Sequence, residues 1–188
     1  QTKELVARIE RESMRMSTLV EDLLMLARMD QGPKMEIKPV NISELVSDAV
    51  ESARAAAPGH PIELTSGNDI YALGDANRIH QVVANLLANA RVHTPVGTQI
   101  KVSVAQSENE VQVVVSDNGP GLSEADREKI FERFYRVDPS RQRTGAEGSG
   151  LGLSIVDAVM RSHGGHVSVD SKLGEGTAFT LHFPLIAE

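Results

Sequence analysis

Two different hydrophobic periods meet at Gly32-Pro33, and this change constrains the fold more than any other feature of the sequence. Before that point, apolar residues recur alternately three and four positions apart, interrupted only by Glu12. The series consists of Leu5, Ile9, Met16, Leu19, Leu23 and Leu26. Such spacing is typical of the seam of a coiled coil or helical bundle. We therefore predict one uninterrupted helix over residues 1–31, which the glycine and the proline end.

Beyond residue 33, helix and strand patterns alternate irregularly. The clearest strands are Gln99 to Gln106 and Glu110 to Ser116, because both are rich in valine and a short polar turn separates them. The other predicted strands cover 35–40, 62–65, 70–73, 167–169 and 178–183, and the predicted helices cover 41–57, 75–93, 123–131 and 151–162. Residues 136–150 show no period and are predicted to form a loop. This order favours an α+β fold, in which helices cover one face of a sheet.

Composition excludes several classes of protein. The 19 Lys and Arg against 26 Asp and Glu give a formal net charge of −7, which disfavours nucleic-acid binding through a basic surface. The chain has no cysteine, so a disulfide scaffold and a cysteine-ligated zinc are excluded. No apolar run approaches the roughly 18 residues that span a bilayer. Because the chain begins with Gln1, we expect a soluble piece of a longer protein, with a membrane span upstream.

The segment from Gly148 to Leu153 is rich in glycine and leads into a predicted helix. It does not fit the dinucleotide fingerprint, because Leu153 occupies the last glycine position, and no Lys-Ser or Lys-Thr follows Gly150 as in a P-loop. Two interpretations remain, a phosphate-binding loop at a helix N-terminus or a flexible linker.

The run Asp117-Asn118-Gly119-Pro120-Gly121 directly follows a predicted buried strand. A carboxylate at the strand end can accept a hydrogen bond from the exocyclic amine of adenine, and it would reject guanine, which carries an oxygen there. Asp, Asn and Gly are also the usual turn residues, so a plain turn is the alternative.

Asn85 and Asn89 lie four residues apart and therefore share one face of a predicted helix. Their amide oxygens can complete a Mg²⁺ shell whose other ligands are phosphate oxygens and water, although two polar residues on a helix surface are the alternative. His163 and His166 form another candidate metal pair, but no third ligand is near them in sequence, and a turn is favoured.

In its motifs and their order, the chain resembles the ATP-binding catalytic domain of sensor histidine kinases of two-component systems. The N, G1, F, G2 and G3 boxes of that family match residues 85–89, 117–121, 131–136, 148–153 and 174–177. Residues 33–188 carry the match, and residues 1–32 look like the second helix of the family's dimerisation and phosphotransfer hairpin. The resemblance implies a Bergerat-type (GHKL) α/β sandwich, with a mixed sheet covered by helices on one face and a long helix before it. It also implies ATP and Mg²⁺ as ligands.

The resemblance further implies roles for individual residues. Asn85 and Asn89 are the catalytic pair that holds Mg²⁺, and Asp117 reads adenine. Further nucleotide contacts are implied for Arg91, His93, Gly119, Gly121, Tyr135, Arg136, Gly148, Gly150, Leu151, Gly152, Leu153 and Thr177. The glycines of the G1 box let the chain approach the base, and those of the G2 box wrap the triphosphate. The side chains at 135–136 meet ribose and phosphates, and Thr177 lies near the base.

The chain departs from the family pattern at two points. Val92 occupies the position at which the family often has a lysine directed at a phosphate. Arg91, one place earlier, is a candidate substitute for that lysine, and His93 fits the family pattern at the next position. The second departure is that the phosphoacceptor motif, His-Glu-x-x-Thr-Pro or similar, surrounds none of the six histidines. The resemblance places the acceptor histidine on a helix before Gln1.

We therefore predict a protein-histidine kinase domain that transfers the γ-phosphate of ATP to that missing helix, for onward transfer to an aspartate of a response regulator. Its implied partners are the acceptor helix, a second copy in the full-length homodimer and a receiver domain. The implied location is the cytoplasmic portion of an inner-membrane sensor. The alternatives are a GHKL ATPase and a dimerisation module that responds to nucleotide without kinase activity. The related ATPases carry Glu where Asn85 stands, and an amide cannot take a proton from water.

Overall fold

The computed structural model describes residues 35–56, 58–137 and 150–185, together with eleven positions between residues 5 and 24. The chain divides into two compact units, Gln1–Pro33 and Lys34–Glu188. All described residues of the first unit are helical, and their apolar members are exposed except Leu19, which is partly buried; Leu5, Ile9 and Met16 are about 60% accessible. Leu26, the last residue of the predicted seam, lies outside the described residues. None of the described helices combines the length and hydropathy needed to cross a bilayer.

The second unit contains seven strands and four helices among its described residues. The strands are β1 (Lys38–Asn41), β2 (Ile62–Ser66), β3 (Tyr71–Gly74), β4 (Ile100–Gln106), β5 (Glu110–Asp117), β6 (His166–Lys172) and β7 (Gly176–Pro184). The helices are α1 (Ile42–Ala56), α2 (Ala76–His93), α3 (Glu124–Lys129) and α4 (Gly152–Ser162). Every one of these elements confirms the type predicted from the sequence, although β6 is longer and α3 shorter than predicted.

Five strands form one mixed sheet in the order β2-β4-β5-β7-β6, in which β2 runs parallel to β4 and the other pairs are antiparallel. The remaining two strands, β1 and β3, pair with each other in a separate antiparallel sheet. Consequently β2 and β3, which follow each other closely along the chain, belong to different sheets. Local pattern alone predicted both strands but could not assign their partners.

Helices α1, α2 and α4 pack on one face of the five-stranded sheet, as predicted. Alternate side chains of the central strands supply the sheet side of this core, because successive residues of a strand point to opposite faces. The fully buried members include Val111, Val113, Leu181 and Phe183. The opposite positions of these strands are polar or only partly buried.

Side-chain caps set the starts of three helices. The Asn41 carboxamide oxygen accepts from the N–H of Glu44 at α1, and the Asp75 carboxylate accepts from two N–H groups at α2. Ser123 accepts from the N–H of Asp126 at α3. These caps satisfy N–H groups that the helix itself leaves without partners. Helix α4 has no side-chain cap, and its N-cap residue is Leu151.

Candidate functional site

Asp117 ends β5 at the centre of the sheet, where it is paired with Ile100 of β4 and Thr177 of β7. Its carboxylate accepts a hydrogen bond from the N–H of Gly119 at 2.8 Å. Burial raises the pKa of this carboxyl above its usual value, and the N–H groups of Gly119 and Thr177 lower it by less. The sheet therefore holds a half-buried acceptor in a fixed place, with Thr177 beside it.

The turn after Asp117 is fixed by bonds to distant segments. The Asn118 side chain accepts from the N–H of Gln99 at 2.9 Å. Ser171 accepts from the N–H of Leu122 at 2.8 Å and donates to the carbonyl of Gly176, also at 2.8 Å. Ser171 was not predicted as part of the site, because nothing in the local pattern of β6 indicates its contact with this turn.

Two glycines at this turn are required by backbone packing. A Cβ on Gly121 would lie 2.0 Å from the carbonyl oxygen of Lys172, and a Cβ on Gly176 would lie 2.0 Å from that of Asp117. Both residues also have positive φ, +68° and +109°. Gly121 therefore allows the close approach of two protein segments, and its expected role beside a base stays a prediction. At Gly119 a Cβ would instead meet the Thr94 side chain at 2.6 Å.

Asn85 and Asn89 lie on the side of α2 that faces the start of α4. The Asn85 amide donates to the carbonyl of Gly152 at 3.4 Å, a long bond that joins the N box segment to the glycine-rich segment. Asn89 is half-buried, and within the described part of the chain its carboxamide has no hydrogen-bond partner. Among the described residues, a Cβ on Gly152 would meet only Asn85, at 4.0 Å. Open space, an unpaired amide and a helix start thus adjoin one another.

Both ends of α2 are fixed to the rest of the site. At its C-terminal end, Thr94 donates to the carbonyl of Ala90 at 2.7 Å and packs against Gly119. At its N-terminal end, the N–H of Asp75 donates to Nε2 of His163 at 3.0 Å. Because Nε2 accepts, Nδ1 carries the proton and donates to the carbonyl of Val159 at 2.7 Å.

His163 therefore fastens the C-terminal end of α4 to the cap of α2, although 88 residues separate the two bonded positions. It is buried and does not form a metal pair with His166, which stacks on His182 instead. The predicted position of His163 at the end of a helix is confirmed, whereas its contact with Asp75 was not predicted. No group of three or more His, Cys, Asp or Glu side chains in the described ranges is arranged to hold a metal.

Phe134 and Gly150 bring the two ends of the predicted loop together. The N–H of Phe134 donates to the carbonyl of Gly150 at 2.9 Å, and both residues have positive φ. The Tyr135 hydroxyl, expected near the ribose, donates to Asp126 at 2.8 Å. Leu151 is fully buried, so its side chain belongs to the core. Gly148 and the rest of segment 138–149 lie outside the described residues.

Arg91, two residues after Asn89, lies on a different side of α2 from the two asparagines. Arg91 lines a cavity between α1 and α2, whereas Asn85 contacts α4 on another side of the helix. Arg91 follows Asn89 by about 200° around the helix axis. The expected contact of Arg91 with a phosphate, in place of the lysine that Val92 replaces, stays a prediction. His93 is exposed at the end of α2, and Arg136 and Leu153 are partly buried at the edge of the site.

Comparison with known families gives a match over residues 74–187 to the model described as "Histidine kinase-, DNA gyrase B-, and HSP90-like ATPase". Among curated proteins, the chain is 45% identical over 181 residues to the probable sensor histidine kinase TcrY of Mycobacterium tuberculosis. That match covers 96% of this chain and 38% of the relative. The sensor histidine kinase RppB of Synechocystis is 36% identical over 184 residues, with 95% and 40% covered. The chain thus spans well under half the length of these relatives.

The solved structures to which this chain is similar are also histidine kinases. The mycobacterial sensor histidine kinase MprB matches with a TM-score of 0.69 and 31% identity, covering 79% of this chain and 97% of that one. Full-length ShkA in complex with AMPPNP matches with a TM-score of 0.80 and 29% identity, covering 95% of this chain and 38% of that one. The first match thus covers nearly the whole of the MprB structure, and the second neighbour was solved in complex with AMPPNP.

Proposed function

Because the chain belongs to the histidine kinase-, DNA gyrase B- and HSP90-like ATPase family, as an ATP-binding catalytic domain of the sensor histidine kinase type, we propose that it phosphorylates a histidine outside this chain. In this reaction an imidazole nitrogen bonds to the γ-phosphorus of ATP while the bond from that phosphorus to the bridging oxygen of ADP breaks, and the imidazole N–H proton is released. Phosphoryl transfer of this kind depends mainly on positioning and charge stabilisation.

The observation that carries the proposal is a chain of contacts between three segments. Asn85 of α2 bonds to Gly152 at the start of α4, and Thr94, just after α2, packs against Gly119, two residues beyond Asp117. The end of β5 presents Asp117, α2 presents Asn85 and Asn89, and the start of α4 presents Gly152. The half-buried carboxylate suits the exocyclic amine of adenine, and the open helix start suits phosphate oxygens. Thr177, at the pairing position opposite Asp117, supports the base end of the same site.

Asn85 and Asn89 also fit Mg²⁺ held together with the phosphates. Neutral amide oxygens suit this ion when phosphate oxygens and water complete its shell, and the unpaired Asn89 carboxamide is available for that contact. When bound, the ion neutralises charge that develops on the phosphates. The protein's own part is to hold both asparagines on one helix that His163 and Thr94 fix at its ends.

The identity of Asn85 supports transfer to a histidine over hydrolysis. A hydrolase needs a general base that accepts a proton from water, and a carboxamide cannot do this. In addition, the Asn85 amide is engaged as a donor to Gly152. We propose that the complete protein supplies the acceptor helix, forms a homodimer, is anchored in a membrane and passes the phosphoryl group to a receiver domain.

Two measurements test this function. In calorimetric titrations with Mg²⁺, the chain should bind ATP in preference to GTP, and Asp117→Asn should weaken ATP binding by about 1–3 kcal/mol. Mixed with the acceptor helix of its parent protein and labelled ATP, the chain should place acid-labile label on the histidine of that helix. Asn89→Ala should lower that labelling while leaving adenosine binding nearly unchanged, because the metal contacts phosphates and not the base.

The adenine-reading proposal would be overturned by equal affinity for ATP and GTP. The kinase proposal would be overturned by label that appears on the 188-residue chain alone and resists acid. Steady ATP hydrolysis that Asn85→Ala abolishes would instead indicate the ATPase alternative.

A further inference from the structure

A cavity of about 160 Å³ opens between α1 and α2, away from the side of α2 that carries Asn85 and Asn89. Its walls are mostly small and apolar, because alanines of the two helices face each other. These wall residues are Ala49, Ala53 and Ala56 of α1 and Ala84 and Ala88 of α2, with Ile62, Leu87 and Ile100 completing the apolar lining. The alanines leave a space that larger side chains would fill. This space is open to solvent on one side, because Ser52, Ala56 and Ala88 of its lining are exposed, and it has room for a compact apolar group.

Four polar side chains line the same cavity, the hydroxyl-bearing Ser52 and three that carry nitrogen, namely His60, His80 and Arg91. His60 is only 7% exposed, and its buried Nε2 has no hydrogen-bond partner. Buried polar atoms in folded proteins are nearly always paired, since an unpaired one loses its bond to water. Among the described residues, the side chains of His80 and Arg91 make no hydrogen bond or ion pair either. The cavity therefore combines apolar walls with nitrogen groups that lack partners.

The chemistry of these groups identifies the class of ligand. A guanidinium group only donates hydrogen bonds, and its planar fork matches a carboxylate. The alanine walls disfavour a fully hydrated ion such as free phosphate, because nothing on them replaces its bonds to water. A volume of about 160 Å³ is close to that of cavities that accept benzene, and this sets the size of the apolar part. We propose that the space between α1 and α2 is a binding site for a small organic carboxylate with a compact apolar body.

Benzoate is a suitable probe, because it joins a benzene ring to one carboxylate. Titrated into the 188-residue chain and followed by amide NMR, it should give saturable shifts near Ala53, Ala88 and Arg91, with a dissociation constant of about 1 mM. Benzyl alcohol has a similar shape without the charge and should bind at least about tenfold more weakly. Arg91→Met should weaken benzoate to a similar degree.

Two matched substitutions on α1 locate the site. Ala53→Leu should abolish the benzoate shifts by filling the cavity, whereas Ala55→Leu, on the exposed side of the same helix, should leave them unchanged. The amide spectrum of each variant shows directly whether it is folded. The proposal is overturned if no saturable shift appears up to about ten times the expected dissociation constant, if benzyl alcohol binds as well as benzoate, or if both leucine variants bind alike. ATP titration of the same samples tests the kinase proposal separately.

Discussion

At the scale of single residues, the site contains a carboxylate that its fold partly removes from water. Asp117 keeps one strong partner, the N–H of Gly119, yet burial still raises the pKa of its carboxyl. A group held in this way is poised to exchange water for a ligand donor. Functional sites commonly contain such groups, because binding requires an arrangement that does not maximise stability.

Because burial of the Asp117 carboxylate is unfavourable, we predict that the effect of Asp117→Asn on stability depends on pH in the absence of nucleotide. Since the pKa is higher in the folded state than in the unfolded chain, the folded state binds the proton more tightly, and stability falls as pH rises through that window. Asparagine does not titrate and can still accept from Gly119. We therefore expect the free energy of unfolding of the variant, minus that of the unsubstituted protein, to increase between about pH 4 and pH 7. Urea denaturation at several pH values measures this difference. A difference that stays constant or shrinks with rising pH would contradict the assignment.

His163 provides a second prediction at this scale. His163→Ala removes a buried ring and leaves the N–H of Asp75 and the carbonyl of Val159 without their partner. We expect the free energy of unfolding to fall by about 2–4 kcal/mol. The exposed His166→Ala serves as control and should change it by only about 0.5 kcal/mol. Comparable losses in the two variants, measured by urea denaturation, would show that His163 does not fasten α2 to α4.

At the scale of elements, the turn that follows β5 packs closely against the turn that connects β6 and β7. The N–H of Gly174 donates to the carbonyl of Pro120 at 2.8 Å, and Gly121 lies against the backbone of Lys172. This contact determines where Asp117 and Thr177 stand relative to each other. The glycines of two separate motifs thus serve one packing arrangement.

Alanine substitutions can separate steric contact from backbone strain at these turns. Gly121 and Gly174 both have positive φ, but a Cβ on Gly174 would meet nothing within 4 Å. Gly174→Ala should therefore cost only the strain of the left-handed region, about 1–2 kcal/mol. Gly121→Ala should lower the free energy of unfolding by about 1–3 kcal/mol more than Gly174→Ala does, because its Cβ also collides with the carbonyl of Lys172. If the two variants had equal midpoints in chemical denaturation, steric contact with Lys172 would not explain the glycine at position 121.

At the scale of the whole molecule, the N-terminal helix carries apolar side chains that are exposed at most of its described apolar positions. An exposed seam of this spacing is typical of a surface that pairs with other helices. We expect the chain to associate with a second copy in a concentration-dependent manner. Light scattering or sedimentation equilibrium measures this directly.

Substitutions on and beside the seam test that association. Charges introduced by Ile9→Glu with Met16→Glu should shift the chain to monomer, whereas Ser17→Glu adds a charge to the same helix outside the seam and should not. A chain that is already monomeric at the highest concentration, or one that Ser17→Glu dissociates equally well, would exclude the seam as the contact.

Local sequence determined the elements of this protein, because periodicity and caps act over a few residues. The valine alternation of β4 and β5, the caps at Asn41 and Ser123 and the stop at Gly164-Gly165 after α4 were all sufficient for correct predictions. The order of the glycine, asparagine and aspartate motifs was likewise sufficient to predict the family. Of the predicted site residues, Asp117, Asn85, Gly152 and Thr177 proved to lie in neighbouring elements that contact one another.

Tertiary structure decided everything that depends on pairing between distant segments. It placed β2 beside β4 and not beside β3, joined Asp75 to His163, and directed Arg91 into a cavity on another side of α2 from Asn85. It also gave Gly121 a protein backbone as its close neighbour. These outcomes follow from packing and hydrogen-bond satisfaction across the whole domain, and no short stretch of sequence contains the partner that determines them.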